Sequence, residues 1–167
     1  LKTFSALGCY GMSVITALTA QNTKGVRSIQ EVEPNFIEEQ INSILEDIGV
    51  DAIKVGMLFN PSVVKAIAKY LREIKSCPVV LDPVMFAKSG DRLIQEEAIQ
   101  SIKNELFPLA TIITPNIPEA EALLGCSIES FESMQQAAVD LNKLGPKAVV
   151  VKGGGLSART SDDCLVI

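Results

Sequence analysis

The segments Pro78-Val79-Val80-Leu81-Asp82, Thr111-Ile112-Ile113 and Ala148-Val149-Val150-Val151 are apolar runs without period-2 alternation, and segments of helical period lie between them. A strand that is apolar on both sides needs cover on both faces. Strand–helix–strand succession provides it through crossover helices. The pattern therefore predicts one α/β domain over residues 1–167, a three-layer α/β/α arrangement with a mostly parallel central sheet. Ala52 to Met57 adds another strand, and Met12 to Ala20 reads as one more, followed by turn chemistry at Gln21-Asn22-Thr23-Lys24-Gly25.

The helices carry their own punctuation. Pro34 opens a run in which Phe36, Ile37, Ile41, Ile44, Leu45 and Ile48 recur at helical spacing, and Gly49 ends it. Asn60-Pro61 caps a second, with Val63, Val64, Ile67, Ala68 and Leu71 on one face. Further helices are predicted over Glu96 to Leu106, Pro118 to Leu124 (closed by Gly125) and Ser133 to Leu144 (closed by Gly145). Residues 1–8 read as an amphipathic helix stopped by Gly8, and residues 163–167 as a strand without a terminator. Both ends then cut through secondary structure, so a truncated chain is the expectation.

A chain of 167 residues can bury roughly 70% of its unfolded surface. The net charge of −5 speaks against a nucleic-acid or anionic-membrane partner, since both call for a basic face. No apolar run approaches the roughly 20 residues of a membrane span. Cys9, Cys77, Cys126 and Cys164 form no metal-type pair, and no secretory pattern is present, so reduced thiols in a cytoplasmic protein are expected. The absence of histidine removes a Ser-His triad and a histidine base. Chemistry here falls to carboxylates, lysines, backbone amides or a bound cation.

Residues that follow the strands should gather at one edge of the sheet, where open α/β sheets take ligands: Gln21, Met57, Asp82, Asn116 and Lys152. Asp82 ends a strand, where it suits a turn before Pro83 or a place beside a cation or a transferring phosphoryl group. Lys88 in the following loop is either solvated or a mobile counter-charge for phosphate. Asn116 and Glu119 have two readings. One is a capping box serving helix amides. The other is an amide and a carboxylate reaching a hydrated Mg²⁺, an ion that keeps several waters and needs few protein oxygens. Lys152-Gly153-Gly154-Gly155 is a turn or a phosphate cradle, and fits neither common nucleotide fingerprint. Gln21 can donate and accept at once, as the edge of a pyrimidine requires, or face water. Met57 and Val84 either fill the core or flank a flat ring.

Taken together, the segments resemble the hydroxymethylpyrimidine and phosphomethylpyrimidine kinases of thiamine biosynthesis, within the ribokinase-like superfamily. The carriers are residues 1–8, Tyr10 to Thr23, Ile53 to Leu58, Leu81-Asp82-Pro83-Val84-Met85, Ala87-Lys88-Ser89-Gly90-Asp91, Ile113 to Gly125 and Val151-Lys152-Gly153-Gly154. The resemblance implies a ribokinase-like fold, incomplete at both ends. It implies phosphorylation of 4-amino-5-hydroxymethyl-2-methylpyrimidine and its monophosphate, dependent on ATP and Mg²⁺, in a cytoplasmic homodimer. By motif position, Gln21, Met57 and Val84 would bind substrate. Asn116, Lys152, Gly153 and Gly154 would face ATP phosphates, Glu119 and Asp82 the metal, and Asp82 and Lys88 the chemistry. The main anion-hole group would lie beyond Ile167, so residues 1–167 alone are expected not to turn over. Gly155 stands where the family usually has histidine, and residues 155–163 match poorly. A pyridoxine or pyridoxal kinase and a non-catalytic pyrimidine-binding remnant are the alternatives.

Overall fold

The computed structural model describes residues 1–74, 77–87, 89–156 and 161–167. Its centre is a five-stranded sheet in the order β3-β4-β5-β6-β7, with β3 Ile53–Val55, β4 Val79–Leu81, β5 Ile112–Ile113, β6 Ala148–Val151 and β7 Cys164–Val166. The first four strands are parallel, and β7 joins the edge antiparallel to β6. The strands are short and apolar. Val55, Val79, Leu81, Ile113, Val149 and Val151 are all buried, as a sheet covered on both faces demands.

Helices α2 (Pro34–Leu45), α3 (Pro61–Glu73) and α4 (Glu96–Ser101) form one packed group, and α5 (Ile117–Leu124) and α6 (Phe131–Asn142) another. With the sheet they make the three-layer α/β/α arrangement. Helix α3 starts where its sequence says it should: the Asn60 side chain accepts a hydrogen bond from Val63 N–H, and Pro61 occupies the first turn. Its predicted face of Val63, Val64, Ile67, Ala68 and Leu71 is buried. Each of the larger side chains contributes about 1.5–3 kcal/mol by leaving water. Helix α5 closes on Gly125 at φ +69°, a left-handed conformation that glycine adopts without a Cβ penalty.

Three elements differ from the sequence expectation. The predicted helix over Glu96 to Leu106 is α-helical only to Ser101; Ile102–Leu106 is a π-helical turn. Pro108 cannot donate to continue an α-helix. The wider turn also brings Ile102, Leu106 and Phe107 to the core side together. The first strand begins later than expected, as β1 (Ala17–Asn22). It pairs antiparallel with β2 (Gly25–Glu31) in a separate hairpin with a register shift between Ala20 and Gln21. Helix α2 ends at Leu45, short of Ile48, and both Phe36 within it and Ile48 beyond it are exposed. The N-terminal helix α1 (Lys2–Ala6) buries no side chain.

Among the described residues no helix is long and apolar enough to cross a membrane. The four cysteines are free thiols.

Candidate active site

Parallel register places the charged residues before any side chain is considered. Lys54 lies opposite Val80, which lies opposite Ile112, which lies opposite Ala148. Side chains two residues apart along a strand share a face. Lys54 and Asp82 therefore share a face, and so does Lys152, four residues beyond Ala148. The ladder continues past the strand ends: Asp82 N–H donates to Val55 O at 2.9 Å, Thr114 N–H to Leu81 O at 3.0 Å, and Lys152 N–H to Pro115 O at 2.9 Å. Asn116 and Lys152 form an isolated parallel bridge.

The side chains meet accordingly. Lys152 Nζ donates to Asp82 Oδ1 at 3.2 Å, and Lys54 Nζ stands 3.7 Å from Asp82 Oδ2. The carboxylate of Asp82, a side chain 21% exposed, lies between the ammonium groups of Lys152 and Lys54, side chains 38% and 50% exposed.

Beside this triad is Glu119, 2% exposed. Both readings of Asn116 and Glu119 bear on it, and the capping box is present in both directions. Asn116 Oδ1 accepts from Glu119 N–H at 2.9 Å, and Glu119 Oε2 accepts from Asn116 N–H at 2.9 Å. Glu119 Oε1 also accepts from Met85 N–H at 3.4 Å, tying the helix start to the loop after β4. Burial pushes the Glu119 carboxyl above the ordinary glutamate value. The Asn116 amide, the Lys152 charge and the Met85 amide pull it down, and Asp82 pushes it further up. Each carboxylate oxygen keeps a second lone pair, so capping leaves capacity for another donor or a cation.

Among the described residues no group of three or more carboxylate or thiol side chains forms a metal cage. The donors present, Asp82 and Glu119, suit a cation that brings its own waters and leans on substrate phosphates, as Mg²⁺ does.

The glycine loop after β6 is tightly built. Gly153 N–H donates to Asp163 Oδ1 at 3.0 Å, and a Cβ on Gly153 would lie 1.8 Å from Asp162 O. Only glycine fits there. Met57 and Val84, half-buried, follow the ends of β3 and β4, and Thr16 Oγ1 donates to Met57 O at 2.7 Å.

Of the residues expected to converge, Met57, Asp82, Asn116 and Lys152 lie at the C-terminal ends of consecutive parallel strands. Gln21 lies elsewhere, exposed on the β1–β2 hairpin. With Thr19, Asn22, Thr23 and Ser89 it lines an open cavity of about 620 Å³. The hairpin is fastened to the loop after β4 by Asp91, whose Oδ2 accepts from Val26 N–H at 3.0 Å and Ser89 Oγ at 2.7 Å. Those two bonds hold the Asp91 carboxyl below its ordinary value. Lys88 lies outside the described residues. Sequence reasoning missed Lys54; the available signal was a lone charge inside an apolar strand.

The family profile for phosphomethylpyrimidine kinase matches residues 1–167. The chain belongs to the phosphomethylpyrimidine kinase family. It is 51% identical over 165 residues to the thiamine biosynthesis bifunctional protein ThiED of Geobacter sulfurreducens, covering 99% of this chain and 34% of that protein. It is 45% identical over 166 residues to the hydroxymethylpyrimidine/phosphomethylpyrimidine kinase of Escherichia coli, covering 99% of this chain and 62% of that one. The chain thus spans between a third and two thirds of these relatives. Among solved structures, phosphomethylpyrimidine kinase from Clostridium difficile superposes with a TM-score of 0.89 at 45% identity, over 99% of this chain and 71% of that one. The pyridoxal kinase of Bacillus subtilis, solved as an ADP complex, gives 0.87 at 34% identity, over 99% and 63%. The ribokinase-like fold expected from the motifs is the fold found.

Proposed function

We propose that the protein carrying this chain is an ATP- and Mg²⁺-dependent kinase that phosphorylates 4-amino-5-hydroxymethyl-2-methylpyrimidine and then its monophosphate. The observation that carries this reading is the meeting of Asp82, Lys152 and buried Glu119 at the parallel strand ends. It gains weight from 45% identity to a kinase named for this reaction. Phosphoryl transfer asks little covalent chemistry of a protein and depends on positioning and charge. The Lys152 ammonium, oriented by Asp82, supplies positive charge toward the nucleotide phosphates. Gly153, Gly154 and the Asn116 side chain border the same phosphates. Asp82 and Glu119 hold the metal end, where Mg²⁺, when bound, neutralises and orients phosphate oxygens. Lys88 serves as a counter-charge for phosphate.

On the substrate side, Met57 and Val84 flank the ring, and Gln21 on the hairpin reads its polar edge. Cytoplasmic location and a homodimeric state belong to the same proposal. Light scattering at two subunit masses supports the dimer, and a single subunit mass contradicts it.

The test is substrate-dependent ADP release by the full-length protein. The pyrimidine alcohol should drive it. Gln21→Ala should raise KM for the pyrimidine far more than KM for ATP, and equal losses would remove that role. The similarity to pyridoxal kinase supports a second reading, and the same assay decides it: release driven by pyridoxal alone favours that reading.

A further inference from the structure

Lys54 has no part in the assignments above, yet it reaches Asp82 from β3, the strand that leads to Met57. The strand order β3-β4-β5-β6 puts Lys54 and Lys152 at opposite ends of the parallel row. Their side chains nevertheless meet at one carboxylate: Lys54 reaches Asp82 from the β3 side and Lys152 from the β6 side. Lys152 and the glycine loop belong to the β6 end. Lys54 belongs to the β3 end, three residues before Met57, the proposed ring contact.

The two lysines also differ in how they are engaged. Lys152 Nζ hydrogen-bonds Asp82, whereas Lys54 Nζ stops at 3.7 Å from the other carboxylate oxygen. Among the described residues its ammonium makes no hydrogen bond, and half of the side chain is exposed. Asp82 therefore keeps a hydrogen-bonded counter-ion when Lys54 turns away. The ammonium stands beside Gly56, where even a Cβ would lie 3.8 Å from it. It is an ammonium with donors to spare beside Gly56, one residue before Met57, the proposed ring contact. A phosphate monoester is an anion that uses several donors at once.

Resting on the kinase reading above, we propose that Lys54 binds the phosphate of a phosphomonoester substrate and so sets the preference of the second phosphorylation over the first. When that phosphate is present, Lys54 exchanges its loose approach to Asp82 for a charge-assisted hydrogen bond. Lys152 keeps Asp82 paired on the nucleotide side.

The experiment compares the pyrimidine alcohol and its monophosphate as substrates of the full-length protein, in wild type, Lys54→Met and Lys54→Arg. Lys54→Met should raise the ratio of KM for the monophosphate to KM for the alcohol by about tenfold or more, the size of a charge-assisted hydrogen bond. Lys54→Arg, which keeps the charge, should restore most of that ratio. Wild type that phosphorylates both substrates, with a ratio unmoved in Lys54→Met, overturns the lysine inference and leaves the kinase reading standing. A ratio raised equally by both variants also overturns it, because charge is then not what matters. Wild type that phosphorylates neither substrate overturns the kinase reading, and this inference with it.

Discussion

Replacing Glu119 by glutamine separates the two jobs of this buried carboxyl. Glutamine keeps the shape and one acceptor, so only one of the Asn116 and Met85 amides stays paired. The other faces an NH₂ group. A buried donor left without a partner costs about 1–3 kcal/mol. In a domain of 150–250 residues, each kcal/mol lowers Tm by about 2–4 °C.

The charge adds a pH signature. Burial holds the folded Glu119 above the unfolded glutamate value of 4.5, so between the two values the folded state binds more protons. Wild-type stability therefore falls as pH rises through a window that opens at 4.5 and extends upward. Glutamine has no such dependence. The stability gap should be widest at the acid end of the window and narrow as pH rises, by about 1.4 kcal/mol per unit of displacement. Thermal melting of the full-length wild type and Glu119→Gln across that window measures it. A gap that widens with pH, or none at the acid end, refutes the assignment of Glu119 as a buried carboxyl dominated by desolvation.

Two further outcomes follow from the loops. Gly153→Ala puts a methyl group 1.8 Å from the Asp162 carbonyl, so the loop must shift; ATP binding should weaken, and an unchanged KM for ATP would argue against the loop as a phosphate border. Asp91→Ala removes the bond from Val26 N–H that fastens the hairpin to the loop after β4, and with it the loop's own Ser89 bond. Trypsin should then cut at Lys24 or Arg27 faster than in wild type, and unchanged cleavage would show that the hairpin is held by other contacts.

The sheet and its helices were legible because their signals are local and redundant. Asn60-Pro61, the pair of Asn116 and Glu119, and Gly125 each satisfy helix-end groups with their own atoms, so residue type alone marks the boundary. The apolar strands declare their burial directly. The hairpin was harder: β2 spans Gly25–Glu31 with little burial, and an exposed two-stranded ribbon imposes only a weak apolar pattern. The π-helical turn at Ile102–Leu106 has its cause at Pro108, past the end of the apolar period, so the spacing of Glu96 to Leu106 alone reads as one α-helix.

The site followed the same division. Asp82, Asn116, Glu119 and Lys152 were legible because parallel strands deliver their following residues to one edge. Lys54 was not, because its place beside Asp82 depends on the register between β3 and β4. Nor did the sequence reveal that Glu119 serves the Met85 amide as well as its own cap.

The most direct test of the kinase reading is to follow the full-length protein with ATP, Mg²⁺ and 4-amino-5-hydroxymethyl-2-methylpyrimidine by ³¹P NMR. The reading predicts a phosphomonoester signal that grows first and then gives way to a diphosphate signal, with ADP rising in step. ATP that stays intact, or a phosphoester that forms only when pyridoxal replaces the pyrimidine, would contradict it.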